Sequence, residues 1–126
     1  MPEGTEAKIK QDLSAEIVQL DESYRQIRSS LSEKEYDAFA VACSIRAFKD
    51  SLSRASAYTL TLYKLRGQKV NIPWEQLFTN LDYALATINV SQSPKQREAV
   101  QTILSMSKAE FEQVLTYFAA LKESLK

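Results

Sequence analysis

Residues 9–31 read IKQDLSAEIVQLDESYRQIRSSL, and this stretch indicates the fold class of the chain. Its apolar residues recur at steps of three or four, the spacing that lines one face of an α-helix. Polar and charged residues fill the positions between them, so the opposite face is solvated. The apolar positions are Ile9, Leu13, Ile17, Leu20, Tyr24, Ile27 and Leu31. We predict a long helix from about Glu6 to Ser30, preceded by a flexible terminus over residues 1–5.

The remainder of the chain repeats this periodicity. Its 126 residues include two glycines and three prolines, which is too few for the many turns of an all-β fold. A chain of this length usually forms one domain with its own core. We therefore predict an all-α fold: an antiparallel bundle of four to six helices, in a single domain over residues 6–126. The two long N-terminal helices are expected to form its spine.

Three serines mark predicted helix starts. Each opens a capping box, in which the serine hydroxyl accepts from the amide three residues later and a Glu or Gln side chain reaches back. The boxes span residues 32–35, 93–96 and 107–110, and the first predicts a tight hairpin between the two long helices. Pro73 and Pro94 fall near first helical positions, where a missing N–H is tolerated. Replacing any of these serines with alanine is predicted to cost about 0.5–2 kcal/mol.

The second helix carries apolar and small residues that predict its buried side. These are Tyr36, Phe39, Ala40, Cys43, Ala47 and Phe48. Cys43, the sole cysteine of the chain, is expected to be buried as a small hydrophobe. Segment 50–56 is rich in serine, whose side chain competes for backbone hydrogen bonds. A kink or short break is predicted there.

Residues 57–72 fit two interpretations. Their threonines and tyrosines favour a β-hairpin that turns at Gly67. Tyr58, Leu62 and Leu65 are instead spaced as on one helix face. We prefer the helix, which would end with Gly67 just beyond its last turn.

Composition excludes several classes of function. The chain has no histidine and one cysteine, so a Cys–His nucleophile pair, a zinc finger and a haem histidine ligand are all ruled out. No glycine-rich phosphate loop or nucleophile elbow occurs. We expect a protein that is not an enzyme and that needs no cofactor or metal. Without an apolar run or a leader-like start, a cytoplasmic location is expected, although a secreted chain whose leader has been removed would look the same.

Charge is balanced overall, at 16 basic and 16 acidic residues, but it is distributed unevenly. Residues 1–35 hold five basic and eight acidic side chains, whereas 46–69 hold Asp50 as their one acid. The basic residues of that second stretch are Arg46, Lys49, Arg54, Lys64, Arg66 and Lys69. Three interpretations remain open: internal pairing with the acidic first helix, a protein interface, and nucleic-acid binding through these six residues.

The leading functional hypothesis is a helical interaction protein: an adaptor, assembly factor, chaperone-like partner or small regulator. Its predicted partner is another protein, bound through a helical face and the basic segment 64–74. The predicted partner-binding residues are Tyr63, Lys64, Arg66, Lys69 and Trp74. Trp74 also fits a second role, as an aromatic residue that packs on the core. Apolar surface on the seam of the first helix or on the aromatic final helix would allow a homodimer. A weaker alternative is a small-ligand or lipid site in the bundle core.

Overall fold

The fold is a single all-α domain, as predicted. The computed structural model describes residues 2–90 and 94–125, and these form five α-helices without a β-strand. The helices are α1 (Pro2–Ser32), α2 (Ala38–Leu65), α3 (Glu75–Val90), α4 (Gln96–Met106) and α5 (Lys108–Ser124). The backbone is helical from Pro2, so α1 begins before the Glu6 that periodicity indicated.

An antiparallel pair of α1 and α2 forms the spine of the domain. Glu6 near the start of α1 pairs with Arg66 just beyond α2, and Glu16 pairs with Arg54 further back along α2. Both helices present one apolar stripe to the shared core. The stripe of α2 has steps of four and three: Val41, Ile45, Phe48, Leu52, Ala55, Thr59 and Leu62.

This stripe corrects the predicted buried side of α2. Phe39 is 74% exposed, and Cys43 and Ala47 are exposed as well. The reason is rotation: the buried stripe lies about half a turn around the helix from Phe39, and Phe48 belongs to that stripe. Cys43 is therefore a surface thiol and not a core residue.

The hairpin between α1 and α2 is built differently from the predicted capping box. Ser32 ends α1, and its hydroxyl donates to the carbonyl of Arg28 at 2.7 Å, so it does not cap α2. Asp37 caps α2 instead: its carboxylate accepts from the amides of Phe39 and Ala40 at 3.0 and 3.2 Å. An Asp in this position satisfies amides that have no partner inside the helix.

The predicted break at 50–56 is wrong, because α2 runs continuously to Leu65. Ser51, Leu52 and Ala55 in this segment are buried, so tertiary packing outweighs the weak helix propensity of serine. The helical interpretation of 57–65 is confirmed and the hairpin is wrong. Gly67 has φ +69 and follows the last turn, where the amide of Gln68 donates to the carbonyl of Tyr63 at 2.8 Å. This is a Schellman ending.

Helices α3, α4 and α5 close the core. The carbonyl of Trp74 accepts the first bond of α3, from Phe78, so Pro73 precedes the helix and does not occupy its first position. Ser93 lies outside the described residues, and α4 begins at Gln96. Ser107 does separate α4 from α5, but its hydroxyl makes no cap.

Instead, Ser107 is fully buried and its hydroxyl joins two other helices. It accepts from the side-chain amide nitrogen of Asn80 in α3 at 2.8 Å and donates to the carbonyl of Ile103 in α4 at 3.3 Å. Aromatic rings also pack in the core: those of Phe48 and Phe111 meet edge to face, with ring centroids 5.0 Å apart. The last three helices bury part of their apolar residues in the core: Leu77, Leu81, Val100, Leu104, Phe111, Val114, Phe118 and Leu121.

Candidate interaction surface

Three of the six basic residues in the predicted basic stretch form ion pairs within the domain. The guanidinium of Arg54 donates to the Glu16 carboxylate at 2.8 Å, and that of Arg66 donates to Glu6 at 2.7 Å. Lys49 pairs with Asp82 of α3. The hydrogen bond to Glu16 also raises the pKa of Arg54. Internal pairing with the acidic first helix is therefore real for Arg54 and Arg66.

The other basic residues of the stretch remain available at the surface. Arg46, Lys64 and Lys69 are exposed, and none has an ion-pair partner within the described part of the chain. Lys64 and Lys69 lie at the end of α2 and in the connection that follows, whereas Arg46 is near the other end. The six residues of the nucleic-acid hypothesis thus form no single free cationic strip.

The connection between α2 and α3 is anchored by Trp74. This side chain is 7% exposed, and its ring lies 5.7 Å from that of Tyr117 and 6.3 Å from that of Phe118. The core role of Trp74 is therefore correct, and its inclusion among surface anchors does not fit its burial. Tyr63 is half-buried against the core.

Two polar atoms are buried without partners in this aromatic cluster. The indole nitrogen of Trp74 and the hydroxyl of Tyr117 make no hydrogen bond in the described structure. Burial raises the pKa of Tyr117, and nearby Tyr63 raises it further. The cluster anchors the end of the connection in which Lys69 lies.

Exposed apolar residues adjoin these lysines, and residue types alone did not single them out. Leu60 is 46% exposed and Leu65 is 49% exposed. Both fall off the buried stripe of α2 that ends at Leu62, and this offset is the sequence signal that identifies them. We call Leu60, Lys64, Leu65 and Lys69 together the basic end of α2.

A surface groove lies between α1, α4 and α5. Its volume is about 710 Å³, and its apolar lining includes Tyr24, Ile27, Leu31, Leu104 and Phe111. Charged residues Arg28, Lys108 and Glu112 also line it. The groove lies at the surface, whereas the weaker ligand hypothesis placed a site within the core, where large aromatic rings pack together.

A polar cluster missed by sequence reasoning joins α4 to the α1–α2 hairpin. The hydroxyl of Tyr36 donates to Gln96 at 2.8 Å, and the Gln96 amide donates to the carbonyl of Ile88 at 3.1 Å. Burial raises the pKa of Tyr36, with Arg97 opposing the shift and Asp37 adding to it. These residues are far apart in sequence, so no local pattern indicates that they meet.

Two searches of the described residues returned negative findings. Residues 2–90 and 94–125 contain no group of three or more cysteine and acidic side chains placed to hold a metal ion. Among the helices of this same part of the chain, none combines the length and apolar character needed to cross a membrane.

The fold and the surface together define the class of protein. It is a domain whose described residues form five helices, in which ion pairs join α2 to α1 and α3, and the end of α2 exposes lysines and leucines. No protein-family model matches the chain, and no curated protein or solved structure matches it either.

Proposed function

We propose that this chain is a non-enzymatic interaction protein, acting as an adaptor, assembly factor, chaperone-like partner or small regulator. Its contact surface is the basic end of α2. The partner is a protein segment that combines acidic and apolar side chains, because this surface carries both exposed lysines and exposed leucines. Of the predicted segment 64–74, this proposal keeps Lys64, Leu65 and Lys69, and it adds Leu60 from the preceding turn of α2.

The observation that carries the proposal is the contrast between neighbouring cations. Arg54 and Arg66 are held by carboxylates of α1, whereas Lys64 and Lys69 are exposed without an ion-pair partner in the described chain. Exposed apolar side chains with polar residues around them are a feature of protein contact surfaces.

The first experiment is affinity capture from the source cells at controlled salt, with and without nuclease. The native chain is compared with Lys64→Glu/Lys69→Glu, which leaves the Arg66–Glu6 pair intact. The matched control is Lys34→Glu/Lys108→Glu, which makes the same change of net charge at two exposed lysines elsewhere. We expect a discrete protein partner that resists nuclease and is lost only with the first variant.

The captured partner is then purified and titrated against the native chain. Trp74 is the single tryptophan and lies in the same connection as Lys69, so its fluorescence reports binding. Reversal of both lysines is expected to weaken affinity at least about tenfold, or about 1.4 kcal/mol. Equal affinity for both double variants would overturn the proposal. Recovery that disappears with nuclease would instead favour nucleic acid, which also requires a steep linear fall of log affinity with log salt.

A further inference from the structure

One exposed face of α2 is covered by no other element of residues 2–90 and 94–125. It consists of six residues at steps of four and three, so they form a straight stripe along the helix. We call this stripe the outer face of α2: Phe39, Cys43, Arg46, Asp50, Ser53 and Ala57. All six are exposed, and the aromatic ring at its start is 74% exposed.

Ion pairs to neighbouring helices border the outer face on both sides. Lys49 reaches Asp82 of α3 on one side, and Arg54 reaches Glu16 of α1 on the other. These pairs place α3 and α1 at the two flanks and leave the stripe between them open. Phe39 is therefore a large apolar side chain on a face that this domain does not cover itself.

The charges of this face are complementary to themselves. Arg46 and Asp50 lie one turn apart, and neither has an ion-pair partner in the described part of the chain. We propose that the outer face of α2 binds a second copy of this chain, with the two α2 helices antiparallel. Arg46 of each protomer then pairs with Asp50 of its partner, which is the isologous arrangement of a twofold dimer.

The same register matches side-chain sizes along the stripe. When Arg46 faces Asp50, Cys43 faces Ser53, and Phe39 faces Ala57. The small pairs let the helix backbones approach closely, and the ring of Phe39 covers the methyl group of Ala57 on both ends of the contact. One register therefore pairs Arg46 with Asp50 at both contacts and places both Phe39 rings against Ala57.

The expected dimer is concentration-dependent. α2 has 28 residues and is about 42 Å long, but one helix face provides less than the roughly 800 Å² per partner of a standard interface. This inference goes beyond the proposed function and does not depend on it, because its contacts are made by residues 39–57 and by neither Lys64 nor Lys69.

Sedimentation of the full chain over about 1 µM to 1 mM tests the pairing directly. The native chain is expected to shift from 14.3 kDa toward twice that mass. Arg46→Glu and Asp50→Arg each place like charges opposite one another, and each should weaken dimerisation at least about tenfold. Mixing these two variants recreates opposite charges at both contacts, so the mixture should recover the dimer. Circular dichroism checks that both variants remain helical.

Crosslinking provides a second measurement of the register. With a short bismaleimide, Ser53→Cys is expected to yield covalent dimers through Cys43 of the partner copy. Within one helix these positions lie about 15 Å apart, so the link within a chain is disfavoured. Ser29→Cys, an exposed change on α1, is the matched control and should yield few dimers.

Three results would overturn the proposal: a native chain that stays monomeric throughout, single variants that dimerise like the native chain, or a mixture that stays monomeric. If the native chain is monomeric and Arg46→Glu loses a captured protein, the face serves a different protein. Because Lys64→Glu/Lys69→Glu leaves Arg46 and Asp50 unchanged, failure of this inference is distinguishable from failure of the proposed function.

Discussion

The guanidinium group of Arg97 lies 2.6 Å from the carbonyl oxygen of Leu31, although 65 residues separate them along the chain. A second donation from this group reaches the carbonyl of Glu33 at 2.7 Å. α1 has no basic residue in its own last turn, and its final carbonyls have no partners within the helix. α4 thus supplies the cation that favours the end of α1.

Arg97→Ala is expected to destabilise the domain by about 1.5–3 kcal/mol, because it removes charge-assisted hydrogen bonds to two carbonyls. Arg97→Lys should recover part of the loss, since lysine keeps the charge but not the forked donors. Urea denaturation measures both. Glu98→Ala, an exposed neighbour, is the control and should stay near native stability. Equal stability of Arg97→Ala and the control would contradict this role.

Two separate substitutions test which polar residue caps α2 at the hairpin before it. Asp37→Ala should cost about 0.5–2 kcal/mol because it removes the cap of α2. Ser32→Ala should be close to neutral, since its hydroxyl only donates to a carbonyl of its own helix. Chemical denaturation of both variants under one buffer decides between the observed cap and the capping box at 32–35, for which the order would be reversed.

The two glycines respond oppositely to the same substitution. Gly67→Ala should destabilise by about 1 kcal/mol, because φ +69 is a left-handed conformation that a Cβ disfavours. Gly4→Ala lies in α1 with nothing near the added methyl group and should be neutral or stabilise by up to about 1 kcal/mol. Thermal unfolding of the two variants gives the comparison. A neutral Gly67→Ala would mean that α2 ends in another conformation.

Two phenylalanines of α2 distinguish its buried face from its outer face. Phe48 is fully buried and Phe39 is 74% exposed. Phe48→Ala should cost about 3–5 kcal/mol through lost burial and a residual cavity, whereas Phe39→Ala should change monomer stability by less than about 0.5 kcal/mol. Denaturation is measured at low protein concentration to keep self-association out of the comparison. Similar losses for both would indicate a different rotation of α2.

Alkaline pH should weaken the fold through two partly buried tyrosines. Burial raises the folded pKa of Tyr36 and of Tyr117 above the usual value, which is about 10 for a tyrosine in an unfolded chain. Their contribution to stability is complete below that pH and is lost as pH rises through the raised values. Thermal unfolding from about pH 8 to pH 12 is expected to show a fall above about pH 10.

Tyr117→Phe isolates one contribution to this fall. The variant should lose less stability at alkaline pH than the native chain. At neutral pH it should be as stable or more so, because the hydroxyl that it removes is buried without a partner. Lysines also titrate in this range, so the difference between variant and native chain is the informative quantity. Identical alkaline curves would contradict the burial of Tyr117.

Local patterns predicted the helices well and the contacts between them poorly. In α1, Leu13, Ile17, Leu20 and Ile27 are buried as their spacing indicates, because the period of a helix is an intrinsic backbone property. In α2 two stripes compete, one through Phe48 and one through Phe39. Both contain apolar residues, and only contact with α1 decides between them.

The candidate surface was partly predictable for the same reason. Lys64 and Lys69 could be predicted as surface residues, because a basic stretch can be seen in a sequence without a structure. Three features of this surface were not predicted. Arg66 pairs with Glu6 of α1, Trp74 packs against Tyr117 of α5, and Leu65 lies off the buried stripe of α2. The first two features join residues that are distant in the chain.

By itself, the sequence determined that this protein is helical, where most helices run and which residue types are absent, since composition and periodicity act over a few residues. Tertiary structure decided what satisfies the end of α1, which cations are free and which face of α2 stays open. Those outcomes rest on hydrogen bonds and ion pairs such as Arg97 to Leu31 and Arg54 to Glu16. Such contacts depend on distances between elements, and these distances exist only once the bundle has packed.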